Sequence, residues 1–356
     1  MQRWFGLDRV PGDVGPTVVT LGNFDGVHRG HVAVLRRVVA EARRRGAASL
    51  AVTFDPHPIQ VLYPDRAPTL LTAIDERLDL LAATGLDAVL VQPFTPELAR
   101  MPPDEYVERV FVRALGARAV VIGGDVRFGY RNSGDISTLR TLGKTWGFEV
   151  VTLEDLGADA PERGDGTRRW SSTWVRELLA AGDVAGAAQV LGRPHAVTGT
   201  VVHGDARGRL LGYPTANLGS ATVGGMVPAD GVYGGRLRSG DAPALPAAVS
   251  IGTNPQFDGH ERRVEAYVID AVGLDLYDRS VRVEFLLRVR DTLRFDSVDA
   301  LVARMGRDVA EVRAALGSAD VTAGTAEGPG GDAGRPPGPG PDRPDSAGTP
   351  PPTVRP

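Results

Sequence analysis

The chain of 356 residues contains no cysteine. That excludes disulfides, thiolate catalysis and Cys-ligated metals. Lysine is nearly absent too: Lys144 is the single one among 40 basic residues. Any bound phosphate must therefore be held by arginine, histidine, backbone amides or a metal ion. A P-loop lysine does not fit Gly143-Lys144-Thr145, because the motif's first glycine would fall on Thr138 and no apolar strand leads directly into the loop. Lys144 reads as an ordinary helix residue. Residues 1–8 hold no apolar h-region and no run approaches transmembrane length, so a cytoplasmic protein without a membrane partner is expected. A net charge of −4 offers no basic footprint for nucleic acid. Hydrophobic content of 42% and charged content of 24% are ordinary for a globular chain. The length accommodates two domains.

The strongest local signal is Gly22-Asn-Phe-Asp-Gly-Val-His-Arg-Gly-His31. It follows the apolar run ending in Val18-Val19-Thr20-Leu21 and leads into helically spaced residues from His31. A strand, a glycine-rich turn and a helix start make a phosphate site, since backbone N–H groups and the helix dipole favour an anion there. Gly22, Gly26 and Gly30 permit close approach of the backbone. His28 and His31, three apart, share one face of the first turn and can donate hydrogen bonds to a triphosphate without being permanent cations. The competing reading is a helix cap plus a solvated side chain; two of the chain's six histidines at this spacing favour nucleotidyl transfer.

Strand-like runs at 18–21, 50–54, 88–92, 119–123 and 149–153 alternate with helical segments at 31–45, 75–84, 103–115 and 136–146. This alternation predicts an α/β domain with a parallel sheet, with ligands beyond the carboxyl ends of the strands. Ser171-Ser-Thr-Trp-Val-Arg176 opens a further helix that Ser171 or Ser172 can cap. Arg176 would point back to that end, making a second anion site; a plain capped helix is the alternative. After residue 194 the period changes to two, with runs at 196–202, 231–237, 247–251, 264–270 and 281–289 separated by Gly/Asp/Pro turns. Consecutive strands without helices predict a small antiparallel β-barrel. A helix at 297–316 with Ser297 as N-cap follows, and beyond it lies a Pro/Gly-rich stretch without aromatics that is expected to be disordered. The expected domains are 1–186, 187–317 and a tail at 318–356.

The second half carries Gly212-Tyr-Pro-Thr-Ala-Asn217. Thr215 and Asn217 are two apart, so extended backbone puts them on one side. A hydroxyl and a carboxamide oxygen suit Mg²⁺ that takes its remaining ligands from water and substrate phosphates; a simple turn is the alternative. In Val264-Glu-Ala-Tyr267, Glu265 sits mid-strand among apolar residues. It is either a solvated outward carboxylate or, if it faces a ligand cleft, a general base for a hydroxyl.

These motifs, in this order, resemble the bifunctional riboflavin kinase/FAD synthetase family of bacteria. The resemblance also rests on Thr53-Phe-Asp-Pro-His-Pro58, Arg77-Leu, Gly123 to Gly129, Pro228-Ala-Asp-Gly-Val-Tyr233 and Ser250-Ile-Gly-Thr-Asn-Pro-Gln-Phe257. It implies a Rossmann-like nucleotidylyltransferase domain followed by a riboflavin kinase barrel and a C-terminal helix. It implies that the barrel phosphorylates riboflavin to FMN and the first domain adenylylates FMN to FAD, both with ATP and Mg²⁺. Carried onto this chain, it implies His28, His31 and Glu265 as catalytic residues. Gly22, Asn23, Phe24, Asp25, Gly26, Gly30, Ser171, Ser172, Thr173 and Arg176 would bind ATP phosphates. Thr215 and Asn217 would hold the metal, and Asp125, Arg127 and Phe128 would meet the flavin, with Phe128 available to stack. No obligate protein partner is implied. Val126 and Gly124 depart from the family's usual Phe and polar residue. Two alternatives remain open: a nucleotidylyltransferase for another phosphate with an accessory barrel, which the Thr215/Asn217/Glu265 set argues against, and a flavin-binding sensor, which has no need of either catalytic set.

Overall fold

Near-continuous Val, Ala and Leu runs are what a strand buried on both faces requires. The computed structural model describes residues 1–124, 126–152, 168–204, 207–253, 262–271 and 273–323. In it these runs form an all-parallel sheet of β1 (Gln2–Phe5), β2 (Thr17–Leu21), β3 (Ala48–Phe54), β4 (Ala88–Gln92), β5 (Ala117–Ile122) and β6 (Glu149–Thr152). The order is β1-β4-β3-β2-β5-β6. The helices are α1 (Arg29–Arg45), α2 (Pro58–Leu62), α3 (Ile74–Ala82), α4 (Pro96–Ala99), α5 (Pro103–Tyr106), α6 (Ile136–Trp146), α7 (Ser172–Ala180) and α8 (Val184–Leu191). Side chains alternate between the two faces. Val18, Ala51, Val89 and Val121 pack with Leu35, Val38 and Leu78 of α1 and α3. Val19, Val52, Leu90 and Val120 pack with Val110, Phe111 and Leu139 on the other side.

Several expectations are adjusted. The edge strand β1 is additional, and so is α8. The helix expected at 103–115 is α5 followed by a π-helical stretch, Val107–Ala114. α6 has the expected bounds because its ends are chemically marked. Asp135 Oδ1 accepts from the Thr138 N–H at 2.9 Å, and Gly147 closes the helix at φ 77°.

The second half closes into an antiparallel barrel of β7 (His195–Val202), β8 (Ala216–Leu218), β9 (Gly231–Ser239), β10 (Leu245–Thr253), β11 (Arg262–Val268) and β12 (Ser280–Arg290), in the order β10-β11-β8-β7-β12-β9. A short α9 (Arg207–Leu210) precedes β8, and α10 (Val298–Ala323) follows β12. The Ser297 Oγ accepts from the Ala300 N–H at 3.1 Å, as a capping serine does. α10 runs past 317, so the first residues of the expected tail continue the helix. Residues 324–356 lie outside the described residues.

Met1–Leu316 is one compact unit. The barrel interior (Val197, Val201, Tyr233, Val264, Phe285) shares one apolar core with Val175 and Leu179 of α7, Val184 and Leu191 of α8, and Leu71. A partly buried ion pair between Glu76 and Arg282 joins α3 to β12. Charged pairs in such a place are costly to break singly, because removal of one leaves the other buried.

Candidate functional site

In an open parallel sheet, ligands bind where the strand order reverses. Here that point lies between β2, which continues to β3 on one side, and β5 on the other. A cavity of about 340 Å³ opens there. It is lined from β2 and its loop by Thr20, Leu21, Gly22 and Phe24, from the start of α1 by His28, Gly30, His31 and Val34, and from beyond β5 by Gly123 and Val126. Arg169, Trp170, Ser171 and Ser172, leading into α7, complete it. Two helix N-termini thus converge on one cavity.

His28 is the N-cap of α1, and its Nδ1 accepts from the His31 N–H at 3.3 Å. That bond assigns the proton of the neutral ring to Nε2. The capping reading and the ligand reading therefore both hold for His28, but the solvated one does not, since the ring is buried. The two imidazoles stack with centroids 3.7 Å apart. Burial, with Arg169 and Arg193 nearby, pulls His28 down to about 4. Burial also lowers His31 well below its usual range, helped by His28 and Arg77. Two stacked cations would repel, so a neutral pair of donors is the stable state. The Phe24 ring meets His31 edge-on at 5.2 Å and lies over Gly22, where a Cβ would stand 3.0 Å from its Cζ.

The remaining expected phosphate ligands divide. Asn23, Asp25, Gly26, Thr173 and Arg176 do not line the cavity. The Asp25 carboxylate is buried and accepts from the N–H groups of Leu71 (2.9 Å) and Thr72 (3.2 Å) and from Arg176. Arg176 also donates through Nε to the Thr69 carbonyl at 2.8 Å. The Ser171 Oγ caps α7 by accepting from the Trp174 N–H, and the Ser172 Oγ donates to the Asp25 carbonyl at 2.8 Å. Beyond β5, Asp125 lies outside the described residues. Arg127 is exposed, and its guanidinium returns to the Val126 carbonyl. The Phe128 ring, expected to meet the flavin, is 5% exposed and packs with Tyr106 in the sheet's core. Arg169 is a charged lining residue that the sequence motifs did not single out. Its signal was a cation two residues before Ser171 in a chain almost without lysine.

In the barrel, Ala216 and Leu218 of β8 and Val264, Ala266 and Val268 of β11 fill the interior. Alternation places Thr215, Asn217 and Glu265 on the outer face. Glu265 pairs directly with Asn217 across the β8–β11 ladder. The Asn217 Nδ2 donates to the Thr215 carbonyl at 3.2 Å and to its Oγ1 at 3.3 Å. The three chemical residues are therefore brought together, and Glu265 is half-buried rather than fully solvated. Gly204 packs on Asn217, where a Cβ would come 2.7 Å from Nδ2. A neighbouring cavity of about 300 Å³ is lined by Thr215, Ala216, Ala266, Leu276 and Tyr277, but not by Asn217 or Glu265. Arg262 holds the turn that leads into β9, donating to Asp230 Oδ1 (2.8 Å) and the Val227 carbonyl (3.2 Å). On the same outer face α10 covers Tyr267 and Tyr213 with Val309, Val312 and Leu316.

The buried histidines predict a pH response. His28 and His195, the latter bonded at 2.6 Å to the Met226 carbonyl, each titrate at about 4 in the folded chain, against 6.5 when unfolded. A depressed folded value means that protonation favours the unfolded chain. Their stability contribution is complete above the unfolded value and is lost as pH falls through the folded one, at most about 3 kcal/mol each. The thermal midpoint should therefore drop steadily between pH 6.5 and 4. A midpoint unchanged across that window would show that these rings do not stay neutral on folding.

Among the described residues no helix is long and apolar enough to cross a membrane. The FAD synthetase family model matches residues 11–162, and the riboflavin kinase family model matches residues 191–316. The chain is 35% identical over 300 residues to the bifunctional riboflavin kinase/FMN adenylyltransferase of Escherichia coli K12, covering 84% of this chain and 93% of that protein. It is 36% identical over 315 residues to the protein of that description from Pseudomonas fluorescens, covering 88% and 97%. A solved structure described as a macrolide-efflux protein from Streptococcus pneumoniae superposes with a TM-score of 0.76 at 30% identity, covering 88% of this chain and 99% of that one. The chain belongs to the bifunctional riboflavin kinase/FMN adenylyltransferase family.

Proposed function

We propose that this chain phosphorylates riboflavin to FMN at the barrel and adenylylates FMN to FAD at the sheet's switch point, using ATP for both. The observation that carries this reading is the presence of two chemically different sites: His28 and His31 lie within the segment that the FAD synthetase model matches, and Thr215, Asn217 and Glu265 within the segment that the riboflavin kinase model matches. A cytoplasmic location fits the requirement for ATP.

At the switch point, a phosphate oxygen of FMN attacks the α-phosphorus of ATP. The bond from that phosphorus to the bridging oxygen breaks, and pyrophosphate leaves. FMN's phosphate is already a competent nucleophile, so the site's task is orientation and charge neutralisation. The His28 Nε2–H, the N-termini of α1 and α7 and the Arg169 cation are the groups that would meet the phosphates. His31 stacks on His28 and keeps its ring in place. Asp25, Arg176 and Ser172 act one step back by fixing the loop that carries His28. Arg127 and Asp125 remain the residues proposed to meet the flavin.

At the barrel, the primary ribityl hydroxyl attacks the γ-phosphorus of ATP. Its proton passes to the Glu265 carboxylate, and ADP leaves. Thr215 Oγ1 and Asn217 Oδ1 are neutral oxygen donors, and the Asn217 amide nitrogen is already turned toward Thr215. This donor set fits Mg²⁺, which would neutralise charge on the phosphates when bound. No group of three or more His, Asp or Glu suited to a metal occurs among the described residues, so phosphates and water would supply the remaining ligands. Incubation with riboflavin and Mg-ATP, with flavins separated over time, tests the reading. FMN should appear first and FAD after a lag. No conversion of riboflavin, alongside transfer of AMP to another phosphate, would favour the other nucleotidylyltransferase instead.

A further inference from the structure

The loop before α1 is held in a conformation that side chains rarely tolerate. Val27 is buried and β-branched, yet its φ is 38°; Gly26 beside it has φ 78°. Such a backbone persists only when its surroundings over-determine it. Contacts from β3, α3 and α7 supply part of this: the Asn23 carbonyl accepts from Thr53 Oγ1 and Arg77, and Asp25 is bound as described above. The rest comes from the stretch that follows α8. Arg193 donates through one terminal nitrogen to the Gly26 carbonyl at 2.8 Å and through the other to the Val27 carbonyl at 3.1 Å. Its neighbours press on the same loop. A Cβ at Gly26 would lie 3.5 Å from Leu191 Cδ2, and one at Gly192 would lie 3.1 Å from Arg29 Cγ. These three consecutive residues belong to the segment matched by the riboflavin kinase model.

We propose that Arg193 is a positioning residue for adenylyl transfer, contributed by the riboflavin kinase segment: its guanidinium fixes the Gly26 and Val27 carbonyls and so sets the direction of the His28 ring. The proposal rests on the adenylyltransferase reading of the cavity. Two carbonyls of successive residues require a planar fork of donors. A lysine ammonium is a point donor and cannot span them with the same geometry. Burial lowers Arg193 only to about 10, so it stays cationic at neutral pH. Nothing in this arrangement touches Thr215, Asn217 or Glu265.

The test uses the full-length chain and assays FMN to FAD separately from riboflavin to FMN. In Arg193→Ala the turnover of FMN adenylylation should fall by about 100-fold, the scale of a small misplacement of reacting groups. The KM values for ATP and FMN, and the kinase turnover, should stay near wild type. Arg193→Lys should recover part of the lost turnover. Wild-type adenylylation turnover in Arg193→Ala overturns the proposal. If Arg193→Ala does not fold, Arg193→Lys decides: reduced adenylylation with an intact kinase supports the proposal, and normal adenylylation or a parallel loss of both activities overturns it. A wild-type chain that makes no FAD from FMN and ATP would instead overturn the underlying activity, and the proposal with it.

Discussion

His28→Ala combined with His31→Ala should abolish FAD formation while riboflavin is still phosphorylated, so that FMN accumulates. The expectation follows from where the rings sit. Both line the switch-point cavity, stacked 3.7 Å apart, and burial keeps both neutral. The double variant removes a preorganised donor and the ring that braces it. Loss of a single such donor costs about 10²–10³-fold in turnover, and loss of the pair should take FAD below detection. A structural cost accompanies this, because His28 also caps α1; losing a cap costs about 1 kcal/mol. That is small beside the stability of a domain, so the circular dichroism spectrum should survive. Neither histidine belongs to the core that the barrel shares with α7 and α8, and the Thr215, Asn217 and Glu265 set is untouched, so FMN formation should proceed. A folded double variant that forms FAD at the wild-type rate, or that loses both activities together, would show that the two-site assignment is wrong.

The fold was legible where the chemistry of a segment is local. β2 to β5 are runs largely buried on both faces, and α6 carries its own stop signals at Asp135 and Gly147. β1 escaped notice because only Trp4 of its four residues is buried, leaving no pattern to read. β8 is three residues long and follows Pro214, so period-two reading had nothing to count. α8 did announce itself, with Asp183 accepting from the Gly186 N–H at 2.8 Å and Gly192 closing it at φ 77°, but its small residues gave no strong stripe.

The sites were legible as motifs and less so as roles. Gly22, His28, Gly30, His31, Ser171 and Ser172 do meet around one cavity. Asp25 and Arg176 looked like ligands because they stand inside the same motifs. Their actual partners, including each other, are far away in sequence, and spacing cannot reveal a bond across 151 residues. Phe128 shows a related limit. An aromatic in a glycine-rich loop can stack on a ligand or plug the core, and only the position of Tyr106 and of Gly134, whose Cβ would meet the Phe128 ring at 2.8 Å, decides between them. Arg193 lies outside every motif, since its importance is a bond to two carbonyls that any sequence would possess.

Glu265→Gln should lower riboflavin kinase turnover by at least ~10²-fold, the usual share of a general base. The register makes the case. Glu265 lies opposite Asn217, and paired residues on adjacent strands have Cβ atoms about 5 Å apart. A carboxylate there stands beside the two oxygens proposed to hold the metal and its phosphate, where a hydroxyl nucleophile must arrive. Its strand neighbours Val264 and Ala266 point into the barrel, so Glu265 is the side chain of that stretch that faces Asn217. Glutamine keeps the size and the hydrogen-bonding reach but cannot take the proton. KM for riboflavin and ATP should therefore change little while turnover collapses. Adenylylation of supplied FMN should continue at the wild-type rate, because that cavity is built from β2, α1, β5 and α7. Stability should be nearly unaltered, since the position is half-buried and the replacement isosteric. Wild-type kinase turnover in Glu265→Gln would reduce Glu265 to a strand residue. The proton would then have to leave through water or through the γ-phosphate itself, which is feasible because phosphoryl transfer of this kind depends more on positioning and charge than on a strong base.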